Sequence, residues 1–244
     1  MLQLLLAASL SHSAQSSLLV VKKKLKTQGF TQTQISKFFS DPRLKVYTQQ
    51  TIASKPVDWS AYQSQLLLPA SVDAGAAFIK AHQAVFDRAE KTYGVPKEMI
   101  AAIMRVETNF GLYTGSKIVP NVFYSFLAHN QKVKWAESNL VATLVYARQE
   151  KVSPFTLKGS YAGAIGFPQF LPSSILTYGV DGNGDKKVNL FDVADAAPSL
   201  ANFLAKHGYA NDQSKALTSY YGSSVGYPDA AIAYAKALAS ANAR

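Results

Sequence analysis

One carboxylate stands where an apolar residue belongs. Pro96 and Gly111 are placed to open and close a helix. Between them Ile100, Ile103, Met104 and Glu107 follow the i, i+3, i+4, i+7 spacing of a single helical face. Burial along that stripe disfavours the ionised form, and the negative end of the helix dipole acts in the same direction. The spacing therefore predicts a Glu107 that keeps its proton near neutral pH, as a general acid must. A glutamate so placed can also be a boundary or ion-paired residue, and spacing alone leaves both roles open. No other acid lies between Glu107 and Glu137, so the paired carboxylates of most glycosidases are not adjacent in sequence. Other chemistries lack their parts. There is no Cys, and His12, His82, His129 and His207 are too scattered for a zinc site. Neither a nucleophile elbow nor a phosphate-cradling glycine loop is present.

A second cluster suits a hard cation. Asp181, Asn183 and Asp185 offer side-chain oxygens at positions 1, 3 and 5, Lys187 a carbonyl at 7, and Asp192 a carboxylate at 12. This is the spacing of an EF-hand-type Ca2+ loop. Position 6, usually Gly, is Lys186, and position 12 is the shorter Asp. Asp195, one helical turn further on, is an alternative closing ligand. Without a cation the same stretch reads as a polar turn with Asp192 capping the next helix.

The elements that must carry these groups are helical. The 48% hydrophobic content over 244 residues is ample for a core. Helices are predicted over 17–27, 31–40, 71–93 (with Ser71 as N-cap), 96–110, 135–151, 192–207 and 227–242. Residues 47–70 read as a loop-rich linker, and 160–170 as a Gly- and aromatic-rich loop or short sheet element. The fold class is mainly α. The apolar opening, residues 1–14, reads as a signal peptide too short to span a bilayer. Residues 15–70 read as a helical segment and linker, and 71–244 as the main domain containing the 181–195 loop. The absence of Cys excludes disulfides and a lipid-bearing N-terminal Cys, so an exported, soluble, periplasmic protein is expected. The formal charge of +10 favours an anionic partner. No basic-aromatic nucleic-acid motif occurs, and a cell-wall polymer suits the sign.

Longer motifs now connect these pieces. Val106-Glu107-Thr108-Asn109-Phe110-Gly111 resembles the Val-Glu-Thr-x-x-Gly motif of the membrane-bound lytic murein transglycosylase B family. The segment from Gly159 to Ser174 resembles its second motif. The calcium-like loop, Asn189-Leu190-Phe191-Asp192 and the run from Ala201 to Gly208 follow in the same order. The resemblance implies a lysozyme-like α domain with an inserted EF-hand-like loop and a small helical N-terminal part. It implies non-hydrolytic cleavage of the β-1,4 bond between N-acetylmuramic acid and N-acetylglucosamine, leaving 1,6-anhydromuramoyl ends, with Glu107 as acid and then base. It places Ser160 and Gln169 at groove positions, to hydrogen-bond the glycan or orient Glu107, and Tyr220 near the active centre. Phe203 stands where Tyr is frequent, Tyr221 replaces a common Asn, Pro168 a common Gly, and Lys132 falls near an Arg pair that meets peptide carboxylates. A monomer acting on glycan strands, with structural Ca2+ and no organic cofactor, is the resulting expectation. A hydrolytic muramidase, an inactive peptidoglycan-binding protein and a plain calcium-binding protein are the competing readings.

Overall fold

A computed structural model describes residues 11–47, 57–222 and 226–242. Most of the expected signal peptide, residues 1–10, lies outside the described residues. The chain is mainly helical, as expected. The helices are α1 (His12–Thr27), α2 (Gln32–Phe39), α3 (Trp59–Leu66), α4 (Pro69–Ala81), α5 (Gln83–Tyr93) and α6 (Lys97–Thr108). There follow α7 (Val119–Ala128), α8 (Val133–Gln149), α9 (Pro172–Tyr178), α10 (Val193–Lys206), α11 (Gln213–Tyr221) and α12 (Tyr227–Asn242). Two short strands, β1 (Lys117–Ile118) and β2 (Lys158–Gly159), pair antiparallel with Lys117 opposite Gly159.

Two compact units form. The first takes the described residues of Met1–Ile52, Gly115–Ile165 and Phe170–Thr177. In it α8 packs against α7 and α1, with the Trp135 ring edge-on to Phe123 and Phe126 at 5.2 and 5.3 Å. Local chemistry sets its ends. Ser11 caps α1 by accepting from the Ala14 amide, and Thr31 and Gln34 form a reciprocal capping box on α2.

The second unit takes the described residues of Ala53–Thr114, Gly166–Gln169 and Tyr178–Arg244. Its centre is α6, whose Ile100, Ala101, Ala102, Ile103 and Met104 are wholly buried. Helices α12, α4, α5 and α10 pack around it. A helix buried on most sides has nowhere to hide a carboxylate except at its end, where Glu107 sits.

The sequence expectations need several corrections. Residues 71–93 do not form one helix: α4 starts at Pro69, where proline fits the first turn, and the chain breaks at His82 (φ −119°, ψ 25°) before α5. Ser71 is therefore not a cap; its hydroxyl accepts from Arg105 Nε at 3.2 Å. The stretch read as a linker contains α3, capped by Asp58. Helices α7, α9 and α11 lie outside the predicted elements; α7 is short and buried on nearly every side.

Gly75 lets α12 approach α4. A Cβ there would lie 2.5 Å from the Tyr234 hydroxyl and 2.6 Å from Leu238, and that hydroxyl is fixed by donation to the Ser71 carbonyl at 2.6 Å. Gly75→Ala is expected to lower unfolding free energy by about 1–2 kcal/mol, despite the ~1 kcal/mol gain in helix propensity. Urea denaturation measures this, and a neutral or stabilised variant would contradict the packing.

Candidate active site

Helix α6 ends at Thr108. Pro96 is its N-cap rather than its first residue, and Asn109 (φ 49°, ψ 56°) is its C-cap. Phe110 also has positive φ, 57°. Two successive non-glycine residues in the left-handed region cost on the order of 1 kcal/mol each. The turn persists because it is tied from several sides. The Thr108 hydroxyl lies 3.1 Å from the Met104 carbonyl and 3.2 Å from that of Phe167, and accepts from the Gly111 amide at 3.0 Å. Phe110 stacks on Phe78 at 4.5 Å. Gly111 is required by contact rather than as a helix stop: with φ 87°, a Cβ there would lie 2.5 Å from the Phe167 ring.

Glu107 is half-buried in this turn. Tyr227, wholly buried at the start of α12, donates its hydroxyl to Glu107 Oε1 at 3.0 Å. Aromatic rings hold Tyr227. Tyr221 stacks on it at 4.1 Å and 12°, and Trp59 meets it edge-on at 5.4 Å. Trp59 also meets Tyr221 and Tyr62, and Tyr62 donates to the Val106 carbonyl at 3.2 Å. Tyr220 lies stacked at 6.4 Å from Tyr227 and donates to the Pro168 carbonyl. Burial pushes the Glu107 carboxyl up to about 7, against the opposing pull of the Tyr227 hydroxyl. Neither influence is a second carboxylate. Burial and then the Glu107 charge hold Tyr220 and Tyr227 well above the usual phenol range. The site thus carries one carboxyl that titrates near neutrality among phenols that remain neutral donors.

The other anticipated residues fall in different surroundings. Phe203 meets Tyr220 edge-on at 5.2 Å and stacks on His207 at 4.0 Å, so it braces Tyr220 with its ring. Tyr221 is 40% exposed on the outer side of Tyr227. Gln169 has φ 48° and donates from Nε2 to the Gly166 carbonyl at 2.9 Å and the Thr114 carbonyl at 3.3 Å, which fixes the turn bearing Pro168. Ser160 and Lys132 belong to the first unit. Ser160 Oγ accepts from the Ala162 and Ala164 amides, and Lys132 Nζ lies 5.8 Å over the Trp135 ring. Sequence reading missed Tyr227, Trp59 and Tyr62. Tyr227 shares its Ala-rich helix with Tyr234, and no local pattern sets one apart from the other. Trp59 had no periodic pattern to mark it.

The 181–195 loop is tied by its own amides. Asp181 accepts from Gly184, Asp185 and Lys186, Asn183 from Asp185, and Asp185 from Lys187. Asn183 Nδ2 reaches Asp192 Oδ2 at 3.4 Å, so positions 3 and 12 approach each other. Lys186 takes the left-handed turn (φ 68°) that position 6 demands. Asp192 also caps α10 through the Ala194 amide at 2.9 Å. Asp195 is wholly buried and accepts from the Gly182 and Asn189 amides at 2.9 and 2.7 Å. Among the described residues no three Asp, Glu or His side chains converge as a ready-made metal cluster. The donors are nevertheless hard oxygens in the right order on a turn of the right hand.

Comparison with known proteins gives this arrangement a lineage. The family description Transglycosylase SLT domain matches residues 13–235. The chain belongs to this family. Membrane-bound lytic murein transglycosylase B of Escherichia coli (strain K12) is 33% identical over 202 residues, which are 78% of this chain and 56% of that protein. The SLT domain chain thus spans little more than half the length of that relative. The soluble lytic transglycosylase SltB1 from Pseudomonas aeruginosa superposes with a TM-score of 0.82 at 26% identity, over 94% of this chain and 100% of that one. The Escherichia coli lytic transglycosylase SLT35, solved in complex with calcium, superposes with a TM-score of 0.82 at 23% identity, over 96% and 94% of the two chains. The helical fold is therefore the lysozyme-like fold of lytic transglycosylases.

Holding the Glu107 proton up to about pH 7 couples stability to pH. Between the ordinary carboxyl value of 4.5 and about 7 the folded SLT domain holds a proton that the unfolded chain releases. This contribution therefore declines as pH rises through that window, by up to ~3 kcal/mol. Glu107→Gln should match wild type near pH 4 and exceed it at pH 8. Urea unfolding at the two pH values tests this, and parallel behaviour would contradict the buried carboxyl.

Proposed function

We propose that this SLT domain is a lytic murein transglycosylase. It cleaves the β-1,4 bond between N-acetylmuramic acid and N-acetylglucosamine without water and leaves 1,6-anhydromuramoyl ends. The observation that carries this reading is Glu107: one carboxyl, raised to about 7, with Tyr227 bonded to one oxygen only. The hydrogen bond fixes Oε1 and leaves Oε2 to present the proton. Neutral Glu107 protonates the glycosidic oxygen as the bond breaks. The developing positive charge meets no partner carboxylate, so the substrate's own N-acetyl group stabilises it. Ionised Glu107, supported by Tyr227, then accepts the C6 hydroxyl proton, and that oxygen closes on C1. One residue serves as acid and base only if its acidity lies near working pH, which burial supplies. The hydrolytic alternative usually draws on a second carboxylate roughly 5–9 Å away, whereas the Glu107 carboxyl is tuned by burial and the Tyr227 hydroxyl.

Ser160, Gln169, Tyr220, Tyr221, Phe203 and Lys132 are proposed to line or support the glycan path. Phe203 acts through Tyr220. Ca2+ is proposed on Asp181, Asn183, Asp185, the Lys187 carbonyl and Asp192, where it supplies positive charge that fixes the loop leading into α10. Asp195 fastens that loop through its amides. The basic balance and the cell-wall substrate suit a periplasmic site of action.

Two measurements test the reading. Mass spectrometry of muropeptides released from purified murein should find anhydro ends with wild type, and Glu107→Gln should lower their release by at least about 10³-fold. Reducing ends would instead make the protein a muramidase, and binding without release would make it a scaffold. Separately, Lys186→Gly should relieve ~1 kcal/mol of left-handed strain and enlarge the rise in melting temperature on adding CaCl2. Melting that ignores CaCl2 in both proteins would remove the metal site, while leaving the enzyme reading intact.

A further inference from the structure

The first unit carries a cleft unrelated to the Glu107 chemistry. It has a volume of about 430 Å³ and lies between α2, the turn at 41–43, the end of α8 and the turn at 152–155. We propose that it binds the free carboxylate of a short peptide with small apolar side chains. The proposal rests on the murein reading only for the source of such peptides, since stem peptides bear carboxylates and alanine methyl groups.

Charge and shape carry the inference. Three basic side chains, Lys37, Arg43 and Arg148, line the cleft beside one acid, Asp41. Asp41 is already engaged: Arg43 grips it through Nε and Nη2 at 2.9 and 2.8 Å. Lys37 and Arg148 make no salt bridge among the described residues, so the cleft keeps an unneutralised charge of about +2. Arg148 is pre-positioned. Its guanidinium lies 4.0 Å over the Phe30 ring, and Nη2 donates to the Gln28 carbonyl at 2.8 Å. A guanidinium has five N–H donors, and that anchoring takes one of them. The remaining donors lie in a fixed plane suited to a bidentate carboxylate. The apolar wall is also built. Phe38 and Phe155, both nearly buried, stack at 5.4 Å and 19°, with Leu144 and Ala147 beside them. A methyl group fits against such a wall, whereas a sugar hydroxyl finds few partners there. The volume lies in the range of small-ligand sites and accommodates two or three residues of peptide.

The probe is acetyl-alanyl-alanine, whose only charge is its terminal carboxylate, compared with its C-terminal amide. Both are titrated into the full chain while backbone amide shifts are followed by NMR. The acid should produce saturable shifts at Gln28, Phe30, Val152 and Phe155, and the amide should bind at least about tenfold more weakly. Arg148→Gln should weaken the acid by about tenfold and Lys37→Gln by severalfold, each with salt sensitivity reduced. Lys37 is exposed on α2, so Lys37→Gln keeps the test decisive should Arg148→Gln disturb the fold. Equal binding of acid and amide, shifts confined to other residues, or unchanged affinity in Lys37→Gln would overturn the proposal. So would equal competition by inorganic phosphate, which would mark a mere anion patch. Binding in Glu107→Gln should match wild type. Peptide binding without anhydro products would sink the enzyme reading alone, and anhydro products without peptide binding would sink this inference alone.

Discussion

The acidity of Glu107 depends on one hydrogen bond in a desolvated place: the Tyr227 hydroxyl on Glu107 Oε1, 3.0 Å long. Burial and this bond pull the carboxyl in opposite directions. Burial alone would hold the proton too firmly for Glu107 to let it go. A strong charged partner would strip it and leave no acid. A neutral phenol is an intermediate donor, strong enough to support the anion and too weak to force it. The tyrosine can fill that role only while it stays neutral, and burial next to Glu107 keeps its own acidity far below anything titrating near neutral pH.

Much of the surrounding packing serves to hold that pair. Tyr227 cannot move because Tyr221, Trp59 and Tyr220 surround it, and Tyr220 is pinned to the Pro168 carbonyl. The turn bearing Pro168 is fixed by Gln169 and braced by Thr108, the residue after Glu107. The chain thus leaves Glu107, passes through two left-handed residues and returns to touch the same turn. Strain at Asn109 and Phe110 is tolerated because these contacts leave the backbone no relaxed alternative.

The sequence made part of this legible. Glu107 was visible because a helical stripe has a period, and a charge on it breaks the pattern. The polar turn at 181–192 was visible for a similar reason: its Asp and Asn residues fall at fixed positions, and Asp192 caps α10. Tyr227, Trp59 and Tyr62 were not visible, because an aromatic residue on a helix reads as core whether or not its hydroxyl has a task. The break at His82 was not legible since no Gly or Pro marks it. Local periodicity reveals what contrasts with its neighbours. It is silent about contacts made across the fold.

The 181–195 loop and Glu107 are linked through a similar logic of support. Asp192 ends the loop and begins α10. Helix α10 carries Phe203, Phe203 braces Tyr220, and Tyr220 packs beside Tyr227. The buried Asp195 fastens the loop from within, through the amides of Gly182 and Asn189. Asp181, accepting from the Gly184, Asp185 and Lys186 amides, holds the turn with its left-handed Lys186 in place of a glycine at position 6. A cation on the outer oxygens would then add rigidity to an already formed support, leaving the proton chemistry to Glu107 and its phenol.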